Sequence, residues 1–305
     1  MSRNRSVDPA ASGYVTRFAP SPTGPLHLGH ALSALIAHGR AAQSPGGVFL
    51  LRIEDLDQSR SRPQWEQMLM QDLAWLGIDW PQPVMRQSSR LDAYAKALDK
   101  LWDQGLIYRC SCTRADIRSA VEAPQEGVAP PTGPDGLIYP GTCRPSDPHV
   151  GLSTHGPRPR DCSLRLNMAR AVQRLQDLGF METGGGPEGQ SGRIQITAQH
   201  LLDHVGDVVL ARRDMQASYH LAVVVDDAAQ GVTEVVRGAD LFEATAIHIL
   251  LQHLLHLPQP LYHHHRLMRD EAGKRLAKRD DARAIAAYRD AGATPADVRA
   301  LVGLD

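Results

Sequence analysis

His27 and His30 bracket Leu28 and Gly29 in the stretch APSPTGPLHLGH, residues 19–30. Two imidazoles three apart on the first turn of a helix can face the helix mouth together. The amides exposed there attract anions, and an imidazole N–H can donate to a phosphate oxygen. Pro20, Pro22 and Pro25 stiffen the approach, Gly24 permits a tight turn, and Gly29 would let a flat or bulky ligand come close to the helix backbone. A metal needs more ligands than two histidines, and no third is adjacent. The stretch lacks GxxxxGK[ST], so it is not a Walker-type phosphate loop. The plain alternative is a proline-rich turn with two surface histidines.

A second set lies far downstream, in AGKRLAKRD at 272–280, where Lys274, Arg275, Lys278 and Arg279 flank Leu276 and Ala277. Alone, a basic run reads as a solvated face. Paired with the histidines, it could be a mobile loop that brings lysine to a phosphate under attack. A third set is Cys110-Ser-Cys112, followed after 26 residues by a segment ending in Cys143. Two thiolates on one tight turn and a third downstream suit a zinc site with four ligands. Such a zinc would staple a loop-rich module and would not activate water. Cys162, His149 and His155 are candidates for a fourth position, and unligated buried cysteines are the alternative. His263, His264 and His265 are internal and follow a strand-like segment; they are expected to line the approach to the basic loop, not to hold a metal.

These groups need elements to position them. Residues 14–18 suit a strand, and 28–43 suit a helix with Leu28, Leu32, Leu35 and Ile36 on one face. Val48 to Ile53 reads as a buried strand ending in acids. Residues 64–76 carry Trp65, Met68, Leu69, Leu73 and Leu76 at helical spacing, and a third helix carries Leu91, Tyr94, Ala95, Leu98, Leu101 and Trp102 up to Gly105. Strand, helix, strand, helix predicts a doubly wound parallel sheet of Rossmann type. The pattern breaks at 106. The chain divides into a loose tail at 1–12, a first half of a catalytic domain at 13–105, and an inserted module at 106–200. A second half at 201–265 and a signature-loop and C-terminal helical segment at 266–305 complete it. The segment 183–192 is expected to be a flexible loop within the module. The run Leu221 to Val225 suggests a central strand, GVTEVVRGAD another strand and turn, and 240–256 a helix with Leu241, Ala244, Ile247, Leu251 and Leu254.

The bulk numbers exclude little beyond extremes. At 305 residues the chain can hold one large α/β domain with an insertion, or two domains. A net charge of −1 excludes a grossly basic coating protein but not a local basic face for nucleic acid. No run of about 18 apolar residues suggests a membrane span, and the polar N-terminus has no signal-peptide core. A cytoplasmic protein is expected, in which four cysteines are thiols or metal ligands and not disulfides.

HLGH resembles the HIGH motif of class I aminoacyl-tRNA synthetases, and RLAKR resembles their KMSKS loop. RFAPSPTGPLHLGH, LRIEDLDQSR, YHLAVVVDD and VVRGADL are similar to segments of the glutamyl-tRNA synthetase family, in order across residues 14–280. Only about 25 residues follow Arg279, where a full synthetase of that family continues into an anticodon-binding region. That length, and the Cys-x-Cys in the insertion, resemble the glutamyl-Q tRNA(Asp) synthetases.

The resemblance implies ATP-dependent, tRNA-independent activation of L-glutamate to glutamyl-adenylate. Glutamate is then transferred to the queuosine at the wobble position of tRNA(Asp). It implies Mg²⁺ with ATP, one structural Zn²⁺, and a class I fold with a zinc-containing insertion and no anticodon-binding domain; a monomer is expected. Residue by residue it assigns glutamate to Arg17, Phe18, Ala19, Pro20, Ser21, Glu54, Tyr219 and Arg237. It assigns ATP to Pro20, His27, Gly29, His30, Arg275 and Lys278, with His27, His30 and Lys278 catalytic, and the metal to Cys110, Cys112, Tyr139 and Cys143. Without it, Glu54 and Arg237 would read as a surface ion pair. Ala277 stands where the family has serine, which removes a hydroxyl and keeps the lysine. Alternatives are a truncated glutamyl-tRNA synthetase charging the acceptor end, and a non-catalytic tRNA-binding relative. A small nucleotidylyltransferase also uses HxGH but lacks the RIED, VVVDD and VVRG segments.

Overall fold

The computed structural model describes residues 13–122, 130–146, 156–269 and 283–304. Arg275, Lys278 and the rest of the basic loop lie outside these, as do His149, His155 and the 1–12 tail. The first elements are β1 (Val15–Phe18), α1 (Leu28–Gln43), β2 (Val48–Ile53), α2 (Pro63–Trp75), β3 (Met85–Arg86) and α3 (Leu91–Asp103). They match the strand–helix alternation expected from sequence. The three strands are parallel in the order β1-β2-β3, with Val15 opposite Val48 and Arg52 opposite Met85.

Every residue of β2 is buried, as a parallel strand covered on both faces should be. Its side chains feed two cores. Phe49, Leu51 and Ile53 join Leu28, Leu32 and Leu35 of α1 and Leu69 and Leu73 of α2. Val48 and Leu50 face the opposite side with Tyr94, Leu98 and Leu101 of α3. The alternation of a strand (period 2) against the stripes of helices (period 3.6) thus makes a helix–sheet–helix sandwich.

Next come β4 (Ile107–Cys110), α4 (Arg114–Glu122), β5 (Thr132–Gly133), β6 (Gly136–Leu137), β7 (Ser163–Leu166), α5 (Met168–Ala171), β8 (Leu178–Glu182), β9 (Gly192–Ile196), α6 (Ala198–His200) and β10 (Val209–Ala211). The chain continues with α7 (Tyr219–Ala229), β11 (Glu234–Gly238), α8 (Thr245–Leu255), β12 (Leu261–His265), α9 (Ile285–Asp290) and α10 (Pro295–Leu301). The strands β10-β7-β4 form an antiparallel sheet, the body of the insertion. A four-stranded sheet, β11-β12-β8-β9, is parallel except for its β8–β9 edge.

Two expectations change here. Leu221 to Val225 is helical, within α7, and not a strand. Four consecutive residues there, Leu221, Ala222, Val223 and Val224, are buried. A helix buried all round has no amphipathic stripe, so its valines imitate a core strand. Ser218 caps it by accepting the Leu221 N–H at 3.4 Å. Second, the sheets do not respect a boundary at 200: β8 and β9 belong to the catalytic sheet, and β10, beyond 200, belongs to the insertion's sheet. The 183–192 connection is a hairpin link held to β12, with Gly185 N–H donating to His264 O at 3.0 Å.

The two parallel half-sheets meet at β1 and β11. Thr233 N–H donates to Val15 O at 2.8 Å, and Val15 N–H to Thr233 Oγ1 at 2.8 Å. No ladder joins β1 to β11 further along among the described residues; the Arg17 side chain spans the gap instead, Nη1 donating to Val236 O at 3.3 Å. This is the topological switch point, where doubly wound sheets place their ligands.

Candidate active site and metal cluster

A cavity of about 400 Å³ opens at the carboxyl ends of β1 and β11. Arg17, Phe18, Ala19, Pro20, Ser21, His27, Gly29, His30, Glu54, Tyr219 and Arg237 all line it. These are all the described residues that the sequence assigned to glutamate and ATP.

At one end, His27 is the N-cap of α1. Its Nδ1 accepts the Gly29 N–H at 3.1 Å, and His30 Nδ1 accepts the His27 N–H at 3.2 Å. A reciprocal capping box is thus built from two imidazoles. With both Nδ1 atoms accepting, each neutral ring carries its proton on Nε2, so each is a donor there. The rings lie 3.8 Å apart. Gly29 has a local reason beyond ligand access: a Cβ there would meet His27 Cε1 at 3.0 Å.

At the other end, Glu54 and Arg237 are not a surface ion pair. The Glu54 side chain is 9% exposed, and Arg237 is 5% exposed. Burial pushes the Glu54 carboxyl above its usual range, against the pull of Arg52 and Arg17. Arg17 differs from expectation in one respect. Its fork is engaged by the protein's own Asp227, Nε donating to Oδ1 at 2.9 Å and Nη2 to Oδ2 at 3.3 Å. Asp227 also accepts from Arg52 Nη1 at 2.7 Å, and Arg52 Nη2 reaches Glu54 at 3.3 Å. Burial alone would raise the Asp227 carboxyl, but Arg17 and Arg52 outweigh it and hold it below the usual range.

Arg237 is surrounded instead by neutral acceptors: His264 at 3.1 Å, His248 at 2.9 Å and Thr245 at 2.7 Å. Burial holds His248 well below the ordinary imidazole value, with Arg237 adding to the effect, and burial also lowers His264. Two cations and two acids in contact (Arg17, Arg52, Asp227, Glu54) sum to zero. Arg237 adds a positive charge that no acid in contact neutralises among the described residues.

The sequence did not assign Ser33 to the cavity wall, or Asp227 and Arg52 to the ion network behind Arg17 and Glu54. Ser33 Oγ bonds His265 Nε2 at 2.6 Å across the cavity. The VVVDD and RIED segments carried Asp227 and Arg52 in plain sight. A signal existed in two acids ending an apolar run and an arginine within one.

The cysteines converge as expected. Cys110, Cys112 and Cys143 bring their sulfurs within 4.8 Å of one another, with Cys112 and Cys143 at 3.5 Å. A tetrahedral metal with bonds to sulfur of about 2.3 Å sets sulfurs roughly 3.8 Å apart, so the cluster can hold one. Tyr139 Oη lies 3.5 Å from Cys110 Sγ and 3.3 Å from Cys112 Sγ. Cys162 is elsewhere, packed against the main core. Burial opposes ionisation of Cys143, yet hydrogen bonds from Tyr139, Ser111 and Cys112 bring it down to about 6. Burial raises Cys112, and crowding by Cys110 and Cys143 adds to this. A bound cation would relieve the raised Cys112 thiol.

The profile described as tRNA synthetases class I (E and Q), catalytic domain, matches residues 14–134 and 187–304. The chain is 57% identical over 290 residues to the glutamyl-Q tRNA(Asp) synthetase of Rhodobacter capsulatus, covering 95% of this chain and 100% of that one. It is 41% identical over 278 residues to the glutamyl-Q tRNA(Asp) synthetase of Geobacter sulfurreducens, covering 90% and 79%. A solved glutamate-tRNA synthetase from Elizabethkingia anophelis superposes with a TM-score of 0.72 at 26% identity over 95% of this chain. The chain spans 61% of that larger protein. By fold, motif order and identity over nearly its whole length, the chain belongs to the glutamyl-Q tRNA(Asp) synthetase family of class I synthetase-like ligases.

Proposed function

We propose that the protein activates L-glutamate with ATP in the absence of tRNA, then transfers it to the queuosine at the wobble position of tRNA(Asp). One observation carries the reading: a single cavity joins a two-imidazole helix mouth to a buried cationic pocket that also holds an acid. Glutamate has two carboxylates and one ammonium. Arg237 suits a carboxylate, Arg17 lines the same pocket with its fork held by Asp227, and Glu54 suits the ammonium. Tyr219 and the segment Phe18 to Ser21 close the pocket around the chain of the amino acid, and Pro20 adjoins the ATP end.

In the first step an α-carboxylate oxygen attacks the α-phosphorus. A new O–P bond forms as the bond to pyrophosphate breaks, and pyrophosphate leaves with the electron pair. The nucleophile is already an anion, so positioning and charge neutralisation supply the catalysis. The Nε2–H donors of His27 and His30, together with Arg275 and Lys278, serve the phosphates, and Gly29 leaves room for them beside α1. The flanks of the basic loop support that assignment: Leu267 and Met268 line the cavity, and Ala284 bridges to His27. Mg²⁺ bound with ATP would neutralise phosphate charge. Removing one such donor typically raises the barrier by about 3–4 kcal/mol. In the second step a hydroxyl of the queuosine cyclopentene diol attacks the glutamyl carbonyl, losing its proton as AMP departs.

A Zn²⁺ held by Cys110, Cys112, Cys143 and the Tyr139 phenol would staple the insertion. A polyanionic partner is supported by a second cleft of about 200 Å³, lined by Arg158, Arg160, Arg212 and Arg213. Pyrophosphate exchange with glutamate, glutamine and aspartate, without tRNA, tests the reading. Exchange with glutamate alone is expected; exchange that needs tRNA would point to acceptor-end charging.

A further inference from the structure

Arg237 is held from behind by hydrogen bonds whose direction is fixed, and one branch of them ends outside the catalytic sheet. Arginine only donates. Its Nε donates to His264 Nε2 at 3.1 Å, so His264 carries its proton on Nδ1 and donates to Glu182 Oε2 at 2.5 Å. Its Nη1 donates to His248 Nδ1 at 2.9 Å, so His248 carries its proton on Nε2 and donates to His220 Nδ1 at 3.1 Å. His220 in turn carries its proton on Nε2, which lies 3.5 Å from Asp135 Oδ1. A proton on His220 Nδ1 would require His248 to offer two bare nitrogens, which a neutral imidazole does not have. The branch therefore admits one tautomer per ring while it is intact.

Asp135 sits at the turn of the β5–β6 hairpin, in the insertion and not in the parallel sheet. The hairpin is pressed onto the turn after α6: a Cβ on Gly133 would lie 2.2 Å from His204 O. The same imidazoles also pack on Tyr219, whose ring centroid is 5.5 Å from that of His248 and 5.4 Å from that of His220. Both cavity-facing groups, Arg237 and Tyr219, thus rest on His248.

We propose that His248, His220 and Asp135 are positioning residues for the amino-acid substrate. The insertion's hairpin, acting through two imidazoles of fixed tautomer, sets the orientation of Arg237 and leaves its charge for a substrate carboxylate. This rests on the reading that Arg237 meets glutamate.

The test uses the full chain and two readouts. Nitrogen-15 spectra of labelled histidines report tautomers without substrate: His264 is expected as the Nδ1–H form, and His248 and His220 as Nε2–H forms. Exchange kinetics of the wild type first establish glutamate activation, separately from the variants. His248→Phe is then expected to raise the glutamate KM by roughly tenfold to a hundredfold, the loss typical of a hydrogen bond to a charged group. The ATP KM should not follow it. His248→Asn, which keeps an acceptor near the Nδ1 position, should recover most of the loss, and Asp135→Ala should raise the glutamate KM in the same direction. Either of two results overturns the proposal. One is His248 or His220 as an imidazolium or the opposite tautomer in the intact chain. The other is an unchanged glutamate KM in His248→Phe and Asp135→Ala proteins that melt like wild type. Absence of glutamate exchange in the wild type would sink the proposed function instead, and the tautomer spectra would still decide the chain.

Discussion

Glu54 and Asp227 are both buried acids beside arginines, and their environments push them in opposite directions. Glu54 is raised because burial dominates, so it takes up a proton at a higher pH than an ordinary carboxylate. Its attraction for the substrate ammonium should therefore fade on mild acidification. We expect the glutamate KM in tRNA-free exchange to climb as pH falls through the raised pKa, and Glu54→Gln to raise it throughout and flatten that climb. Asp227 is lowered, because Arg17 and Arg52 outweigh burial. Its removal would strand the almost wholly buried Arg17 guanidinium and leave buried Arg52 with Glu54 and Gln230 alone. Breaking such a network typically costs about 3–5 kcal/mol, so Asp227→Ala should lower the urea midpoint by that equivalent at unchanged slope. A midpoint like that of wild type would show that water replaces the carboxylate at little cost.

The cysteine cluster belongs to the scale of the element. β4 delivers Cys110 at its end, the next turn delivers Cys112, and a loop after β6 returns Tyr139 and Cys143. The hydrophobic cluster beneath them is small, with Tyr108, Cys110 and Tyr139 as its buried members. A core of that size supplies little stability, and a metal would supply the rest. We expect about one zinc per chain by elemental analysis. Stripping it with a chelator should remove hydrogen-exchange protection from β4 and its partner β7 before the parallel sheet opens. Simultaneous loss in both regions would argue that the insertion and the catalytic sheet are one cooperative unit.

For the molecule as a whole, the two half-sheets converge on one cavity, and the C-terminal segment is tied beside it. Ile285 N–H donates to Leu26 O at 2.8 Å, so the chain returning from the basic loop is tied beside the first histidine. Arg212 and Arg213 lie on the turn leading into α7, whose first residue, Tyr219, lines the cavity. An RNA seated on these arginines would lie near the activated amino acid. Neither side chain forms an ion pair among the described residues, so both charges are available to phosphates. Replacing both with glutamine should weaken transfer to queuosine-bearing tRNA and reduce its salt dependence by a slope of up to about 2, one counterion per lost phosphate contact. Exchange without tRNA serves as the folding control. An unchanged salt slope would place the RNA elsewhere.

The sequence by itself determined the family, the alternating elements of the first half, the three cysteines that converge, and the part of the cavity wall that runs from Arg17 to His30 with Glu54, Tyr219 and Arg237. These were legible because they depend on local spacing: an N-cap pair three apart, Cys-x-Cys, and stripes with a period of 3.6. Tertiary structure alone decided that VVVDD is a helix, because burial on all sides erases the periodicity that would have revealed it. It also decided that β8 and β9 complete the catalytic sheet, since strand partners distant in sequence leave no local mark. The neighbours of Arg237 belong to the same class. Glu182, His220, His248 and His264 come from β8, α7, α8 and β12, and only packing joins them in two branches behind one guanidinium. Charge balance is likewise a property of assembled neighbours: the sequence offers arginines and acids, and the fold pairs Arg17 with Asp227 while leaving Arg237 among neutral acceptors.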